Sequence, residues 1–194
     1  MGAGFEFERQ EIPGLYAIKP FVARDERGAF IKDYSREAFS LNGVEYDLKE
    51  VFYPVSRKGV IRALHFQTVK EQPKLVRCLS GKVWDVVVDL RVDSPAFMRH
   101  QAFSLTGDNA LELLVPCGCA HGYLVQEDSI VSYKCAEKFY GEYDGGVRWD
   151  DPQLSVPWPL ETVGGREKLI LSAKDGSLPT LEEFIRSTGG FRCA

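Results

Sequence analysis

The pattern of hydrophobic and polar positions predicts a chain built mainly of short β-strands. Runs rich in β-branched and aromatic residues are separated by turn-forming residues, which is the pattern typical of strands. The predicted strands cover residues 15–22, 60–67, 74–79, 82–90, 111–115, 121–125 and 130–135. Between two of them, Ser80-Gly81 predicts a tight hairpin turn, and Cys117-Gly118 predicts a further bend.

Alternation within the predicted strand 82–90 indicates the wall of a barrel. Trp84, Val86 and Val88 fall on one face of this strand, whereas Asp85 and Asp89 fall on the other. A strand with carboxylates along one face suits a barrel wall better than a parallel sheet packed between helices.

Helical signals are few and lie near the two ends of the chain. Residues 35–39 and 180–184 each predict a short helix, and Thr180 and Glu183 form a capping-box pattern. Residues 144–165 are rich in Gly, Pro and Trp and predict a long ordered loop. Many strands with scarce helices predict an all-β jelly roll with short peripheral helices, one domain over residues 1–194 and a peripheral tail at about 180–194.

Composition and charge narrow the class of protein. The chain has 194 residues, of which 44% are hydrophobic and 27% charged, so it can bury a sizeable core. The net charge of −4 argues against nucleic-acid binding, which needs a basic face. No apolar run approaches the roughly 20 residues that cross a bilayer, and residues 1–9 lack the order of a signal peptide. We therefore expect a cytoplasmic protein with no nucleic-acid or membrane partner.

Cysteine and histidine usage gives no metal or disulfide pattern. The five cysteines are irregularly spaced, which favours buried thiols over a disulfide framework. There is no H-x-H pair of the kind that metal-binding cupins use, so we expect no metal and no cofactor. Three histidines remain, and spacing alone favours a surface role for His100 and a structural hydrogen-bonding role for His65 and His121. In a regular strand, His65 lies on the same face as Ala63, and Arg62 lies on the other face.

Several short blocks resemble the dTDP-4-dehydrorhamnose 3,5-epimerase family. In chain order the matching blocks are RALHFQ (62–67), QPKLVR (72–77), GKVWDVVVDLR (81–91), SP (94–95), PCGCAHGY (116–123), YKC (133–135), WDDP (149–152), WP (158–159) and LSAKD (171–175). The resemblance covers nearly the whole chain, which makes it more specific than a lone motif. It implies a cupin-type jelly roll and a homodimer whose interface includes about residues 1–35. It also implies metal-free conversion of dTDP-4-dehydro-6-deoxy-D-glucose to dTDP-4-dehydro-L-rhamnose.

The resemblance also implies four catalytic residues. A ketone at C4 of the sugar acidifies the hydrogens at C3 and C5, and inversion then needs a base, an acid on the opposite face and a cation for the enolate oxygen. His65 matches the base, and Asp175 matches the carboxylate that orients its imidazole. Tyr133 matches the proton donor, and Lys74 matches the cation beside the oxyanion.

The substrate-binding positions carry over from the same blocks and their surroundings. Arg62 matches a residue that pairs with phosphate, and Arg27 and Phe30 match residues that reach the nucleotide across the dimer interface. Phe139 stands where the family has a tyrosine that stacks on the base, and Asp144 where a longer acid is common. The substrate-binding set implied by the resemblance is Arg27, Phe30, Lys32, Glu50, Phe52, Ser56, Arg62, Gln67, His121, Phe139, Asp144 and Lys174.

Departures from the family pattern leave the substrate open. Lys32 stands where glutamate is usual, Glu50 and Phe52 replace glutamine and asparagine, Pro54 replaces serine, and Ala63 replaces glycine. A lysine can only donate hydrogen bonds, which favours the acceptors of cytosine and suggests a CDP-linked sugar as the alternative to dTDP. Inversion at C3 alone, at C5 alone or at both stays open. A ketoisomerase of the same superfamily and a non-catalytic sugar-binding jelly roll also stay open as functions.

Overall fold

The structure is a computed structural model that describes residues 4–193. Residues 1–3 and 194, at the ends of the predicted interface segment and tail, lie outside the described residues. The strands and helices in chain order are β1 (Glu6–Arg9), β2 (Tyr16–Lys19), β3 (Phe21–Asp25), β4 (Gly28–Lys32), α1 (Arg36–Leu41), β5 (Glu50–Phe52), β6 (Val55–Ser56), β7 (Ile61–Gln67), β8 (Lys74–Asp89), β9 (His100–Thr106), β10 (Glu112–Val115), β11 (Cys119–Cys135), β12 (Asp144–Gly146) and α2 (Leu181–Thr188). Within residues 4–193, neither helix is long and apolar enough to cross a membrane.

Two long antiparallel strands, β8 and β11, form the spine of the molecule. The first half of β8 pairs with β10, and its second half pairs with β9. The first half of β11 pairs with β7, whereas its second half pairs with β5 and β6. Beyond these, β2 and β1 extend the sheet past β10, and β12 extends it past β7. The strands that pair with the first and second halves of β8 and β11 share one apolar interior. This arrangement makes a jelly-roll barrel and confirms the predicted all-β fold class.

The predicted hairpin turn at Ser80-Gly81 is wrong, because β8 continues through these two residues without ending. Opposite this point, the register of β11 shifts three times between Val125 and Val131, so both strands bend together without ending. Gly81 has a φ of +79°, and a Cβ there would lie 2.1 Å from the carbonyl oxygen of Asp128. A glycine inside a strand marks such a close approach as readily as a turn.

Both faces of the strand around Asp85 are buried. Val83 and Val87 pack in the barrel interior, on the same face as the inaccessible carboxyl of Asp85. Val86 and Val88 face outward into a second apolar cluster, which we call the outer cluster. The segment 144–165 covers this cluster with two tryptophans, Trp149 and Trp158. The carboxylate face therefore points into the barrel.

Both predicted helices are confirmed. The hydroxyl of Ser35 accepts a hydrogen bond at the start of α1, and Thr180 and Glu183 form the capping box of α2. Helix α2 runs further than predicted, to Thr188, and ends at Gly189 with a φ of +81°. Its apolar residues join the outer cluster beside the tryptophans, so α2 closes the outside of the barrel.

The N-terminal strand prediction is wrong in its extent. Pro20 divides residues 15–22 between β2 and β3. Among residues 4–193, β3 pairs only with β4, in a separate two-stranded sheet. We call residues 21–32 the arm. Phe30, in the middle of β4, is 63% exposed.

Charged side chains anchor the arm to the outside of the barrel. Asp33 lies 3.0 Å from the guanidinium of Arg77 and 2.8 Å from the ammonium of Lys134, and Lys134 lies 2.8 Å from Glu112. We call these four residues the outer ionic cluster. Burial raises the pKa of Glu112 to about 7, although the charge and hydrogen bond of Lys134 act in the opposite direction.

Some elements carry no sequence prediction, among them β1 and β9. The segment predicted as a loop over 144–165 begins instead with a short strand, β12, which pairs with β7. The cysteine expectation holds in part: Cys78, Cys119 and Cys135 are buried, Cys117 is partly exposed and Cys193 is exposed, all as free thiols.

Candidate active site

A cavity of about 470 Å³ opens into the barrel beside β7 and β11. This volume lies in the range of sites that bind small organic molecules, about 300–1,000 Å³. The residues that line the cavity are Phe52, Tyr53, Pro54, Arg62, His65, Gln72, Lys74, His121, Tyr133, Phe139, Asp144, Ser172, Lys174 and Asp175. All four residues predicted as catalytic are among them.

A β-bulge in β7 directs Arg62 and His65 into the same cavity. His65 pairs with His121 and Arg62 pairs with Tyr123, so β7 has one extra residue between the two pairs. The extra residue shifts the side-chain alternation, which a regular strand keeps strictly. The predicted division of this strand, with Arg62 and His65 on opposite faces, is therefore wrong. Ala63 packs in the outer cluster.

His65 and Asp175 form a hydrogen-bonded pair at the mouth of the cavity. The Nε2 of His65 contacts Oδ1 of Asp175, whose other oxygen accepts a hydrogen bond of 2.7 Å from the hydroxyl of Ser172. Burial acts to raise the pKa of Asp175, but the hydrogen bond and charge of His65, with Ser172 and Lys174, outweigh it. The pKa of Asp175 therefore lies below its ordinary value, and its carboxylate can orient the imidazole.

Tyr133 presents a phenol to the cavity from β11. Its ring stacks on Phe52 at a centroid distance of 5.2 Å and meets the ring of His121 edge-on at 5.7 Å. Burial is the main cause that raises the pKa of Tyr133 well above its ordinary value, followed by the neighbouring Tyr123 and Asp85. The phenol therefore keeps its proton at neutral pH.

Two lysines bring positive charge to the cavity. Burial lowers the pKa of Lys74, and within residues 4–193 its ammonium has no hydrogen-bond partner. Lys174 forms an ion pair with Asp144 at the rim. Lys74 is thus the ammonium that is available to a ligand oxygen.

A second imidazole–carboxylate pair lies deeper in the barrel. The Nε2 of His121 is 3.0 Å and 2.8 Å from the two carboxylate oxygens of Asp85. Asp85 is fully buried and His121 is 2% exposed, so this pair is far less accessible than His65 and Asp175. The sequence pattern places Asp85 on a carboxylate face but assigns it no function.

Three predicted substrate-binding residues outside the arm do not line the cavity and instead support its walls. The hydroxyl of Ser56 accepts a hydrogen bond of 3.1 Å from Nε of Arg62. Glu50 accepts one of 3.2 Å from the backbone N–H of Phe139. The side chain of Gln67, which is 3% exposed, bonds to backbone groups of the loops beside the cavity.

The loop that carries Phe139 is held by two glutamines. Gln67 donates to the carbonyl of Lys138 at 3.1 Å and accepts from the N–H of Tyr140 at 2.6 Å, on either side of Phe139. Gln72 donates to the carbonyl of Glu137 at 2.8 Å. These bonds fix the half-exposed ring of Phe139 at the cavity rim, where a flat ligand could stack on it.

The arm lies apart from the cavity of its own chain. Arg27, Phe30 and Lys32 are all on the arm, and none of them is among the residues that line the cavity. The guanidinium of Arg27 pairs with Asp25 at 2.6 Å.

Sequence reasoning gives no role to four residues that line the cavity, Tyr53, Pro54, Gln72 and Ser172. Gln72 and Ser172 lie inside matched sequence blocks, which is the signal that could identify them. Pro54 stands out in the sequence only as a departure from the family pattern. Within the described residues, no three His, Cys, Asp or Glu side chains converge as a metal site would require.

Comparison with known proteins gives a consistent result. A family model described as dTDP-4-dehydrorhamnose 3,5-epimerase matches residues 9–183. The dTDP-4-dehydrorhamnose 3,5-epimerase of Methanothermobacter thermautotrophicus is 41% identical over 182 residues, which cover 93% of this chain and 97% of that protein. The Escherichia coli protein of the same description is 39% identical over 181 residues, or 92% and 95% of the two chains.

A solved structure extends the similarity to the fold. The dTDP-6-deoxy-D-glucose-3,5-epimerase of Legionella pneumophila, in complex with dTDP-4-keto-L-rhamnose, has a TM-score of 0.89 to this chain and 32% sequence identity. The match covers 98% of this chain and 99% of that one.

Proposed function

Because the chain belongs to the dTDP-4-dehydrorhamnose 3,5-epimerase family, we propose that it inverts C3 and C5 of dTDP-4-dehydro-6-deoxy-D-glucose to give dTDP-4-dehydro-L-rhamnose. One observation carries the proposal: an oriented imidazole, a protonated phenol and an unpaired ammonium, from His65, Tyr133 and Lys74, line one cavity of sugar size. These are the three groups that inversion beside a ketone requires.

His65 acts as the base. The carboxylate of Asp175 accepts the Nε2–H of the neutral imidazole, which leaves Nδ1 free to take a proton from C5 or C3 of the sugar. As the C–H bond breaks, its electron pair delocalises onto the C4 oxygen and forms an enolate. The imidazolium that results is stabilised by Asp175 and later loses its proton to solvent.

Tyr133 and Lys74 complete each inversion. The ammonium of Lys74 stabilises the negative charge that develops on the C4 oxygen. Tyr133 gives its proton to the carbon from the face opposite His65, which inverts the centre, and regains a proton from solvent. A phenol with a raised pKa suits this role because it enters the step protonated.

The nucleotide end of the substrate lies toward the rim. The guanidinium of Arg62 pairs with the diphosphate, and the ring of Phe139 stacks on the base. Glu50, Ser56 and Gln67 act by holding these two residues in place.

A second copy of the chain completes the assembly. The arm packs on little of its own barrel and exposes Phe30, as expected for a segment that a partner subunit covers. In this homodimer, Arg27, Phe30 and Lys32 reach the nucleotide of the partner's site. Light scattering should give twice the monomer mass, and a monomeric mass would contradict the assembly.

The activity is tested by hydrogen exchange in D₂O. The native enzyme, incubated with dTDP-4-dehydro-6-deoxy-D-glucose, should incorporate deuterium at C3 and C5, followed by NMR. His65→Asn should abolish exchange at both positions, whereas His100→Asn, the same change at a histidine of β9 outside the cavity, should leave it unchanged. Movement of the carbonyl from C4 to C3 would indicate a ketoisomerase. Absence of any exchange by a folded native protein would indicate a sugar-binding module.

Nucleotide preference is tested by calorimetry. dTDP should bind more tightly than CDP to the native protein. Tighter binding of CDP, reversed by Lys32→Glu, would contradict the dTDP assignment and favour the cytosine alternative.

A further inference from the structure

The buried pair of His121 and Asp85 has an unused hydrogen-bonding atom in the cavity. Nε2 of His121 is occupied by the carboxylate of Asp85, and no residue within 4–193 provides a partner for Nδ1. The ring itself forms part of the cavity wall. The remaining nitrogen is therefore available to a bound ligand.

Burial limits where the protons of this pair can be. His121 is the sole side-chain partner of Asp85 in the described part of the chain, and the Asp85 carboxyl has no exposure to solvent. Arg62 and Lys74 also line the cavity, but within residues 4–193 neither forms an ion pair with Asp85. A carboxylate beside a neutral imidazole would therefore leave a buried negative charge without a cationic partner, which is strongly unfavourable. Two arrangements avoid this charge: an imidazolium beside a carboxylate, or a neutral imidazole beside a carboxylic acid.

Both arrangements without net charge have the same proton count at the cavity. In each, one proton lies between Nε2 of His121 and Asp85, so the other must be on Nδ1. Burial raises the pKa of Asp85, which agrees with a pair that retains both protons.

We propose that Nδ1 of His121 carries a proton and donates a hydrogen bond to the C4 oxygen of the sugar, and that Asp85 is the positioning residue that keeps this proton in place. The inference rests on the proposed epimerase function. It makes His121 a second stabiliser of the enolate oxygen beside Lys74.

The two imidazole–carboxylate pairs then have opposite functions. His65 and His121 lie directly opposite each other on β7 and β11. The His65 side chain is 27% exposed and its partner Asp175 lies beside Lys174, so that pair tolerates an ionised carboxylate and a bare Nδ1. The enclosed pair instead presents Nδ1–H. One nitrogen accepts a proton, and the other donates a hydrogen bond.

Asp85→Asn tests the positioning role with a side chain of the same size. The amide oxygen can still accept from Nε2–H, but a neutral amide no longer favours a second proton, so Nδ1 becomes an acceptor. We expect kcat for deuterium exchange to fall about 10²- to 10³-fold, the usual effect of losing one oxyanion donor. The KM and the calorimetric affinity for dTDP should change less than about threefold, because the lost bond forms mainly in the transition state. Asp89→Asn, the same change at an equally buried carboxyl that pairs with Arg91 and does not line the cavity, is the matched control and should leave kcat unchanged.

Nitrogen NMR of ¹⁵N-histidine-labelled protein separates this role from a structural one. The His121 signals, assigned by their loss in His121→Gln, should show protons on both ring nitrogens in the native enzyme and on Nε2 alone in Asp85→Asn. An unprotonated Nδ1 in the native enzyme, or a kcat of Asp85→Asn within about threefold of native, would overturn the inference. If the native enzyme exchanges no hydrogen at C3 or C5, the epimerase function is rejected. The C4 oxygen of the sugar is then also rejected as the acceptor of the hydrogen bond from Nδ1. The spectrum still decides where the proton lies.

Discussion

Replacing Asp175 by asparagine removes the charge that the catalytic imidazole of the proposed mechanism depends on. Oδ1 of Asp175 contacts Nε2 of His65, and Oδ2 accepts the hydroxyl of Ser172. In Asp175→Asn the amide can turn its NH₂ toward His65, which moves the imidazole proton to Nδ1 and blocks the base. If it turns its oxygen instead, the imidazolium formed during the reaction has no anionic partner.

Either orientation has a large effect on rate. An ion pair in contact at about 4 Å contributes about 4 kcal/mol at an effective dielectric constant near 20. Because about 1.4 kcal/mol is a factor of ten, this loss corresponds to about 10³-fold in kcat. Wrong-tautomer variants of serine proteases lose about 10⁴-fold, which sets the upper end of the expectation.

The assay is deuterium exchange at C3 and C5 under saturating substrate, with calorimetry of dTDP as a binding control. Ser172→Ala keeps the carboxylate and removes one hydrogen bond, so it should lower kcat only about fivefold, the equivalent of about 1 kcal/mol. A kcat of Asp175→Asn within tenfold of native, in a folded protein with unchanged dTDP affinity, would refute the assignment of Asp175 as the orienting group.

Three further changes probe the loop, the spine and the outer ionic cluster. Gln67→Leu removes the bonds that hold the loop of Phe139, so KM should rise about tenfold with little change in kcat, measured by steady-state kinetics. Gly81→Ala should lower the free energy of unfolding by at least about 2 kcal/mol in urea titrations, because its Cβ would clash with the carbonyl of Asp128; an unchanged midpoint would contradict this. Glu112 has a pKa raised from 4.5 to about 7, so the folded state binds more protons than the unfolded state between these values. The native free energy of unfolding should therefore fall as pH rises through this window, and Glu112→Gln should remove that part of the slope; an unaltered slope would refute it.

The sequence predicts best those strands and helices whose conformation is determined by their own residues. The hydrophobic density of residues 60–67 and 82–90 predicts strands that the structure confirms, and the capping box of Thr180 identifies the start of α2. Prediction fails where the conformation depends on pairing with a strand that is distant in sequence. Ser80-Gly81 has the composition of a turn, and only the matching bend of β11 makes it the middle of a strand. The weak pattern of β9 likewise depends on its pairing with β8.

The candidate site shows the same division. The resemblance identifies His65, Tyr133 and Lys74 as one set, and the structure has all three in one cavity. The alternation of a regular strand puts Arg62 on the wrong face, because the bulge in β7 depends on pairing with β11. Asp85 lies 36 residues from His121, and no local pattern links the two. The role of Gln67 is also non-local, since it bonds to a backbone 71 and 73 residues away.

The continuity of β11 imposes a constraint on how this protein can change. Tyr133 faces the cavity, and its neighbour Lys134 faces the outer ionic cluster. Substitutions on one side of the strand can therefore accumulate without disturbing the other. A deletion of one residue from the bend at 126–129 is different, because it would exchange the two sides and place an ammonium where the phenol belongs. Catalysis and attachment of the arm would be lost in a single event, so natural length variation should avoid this bend and fall in the loops around it.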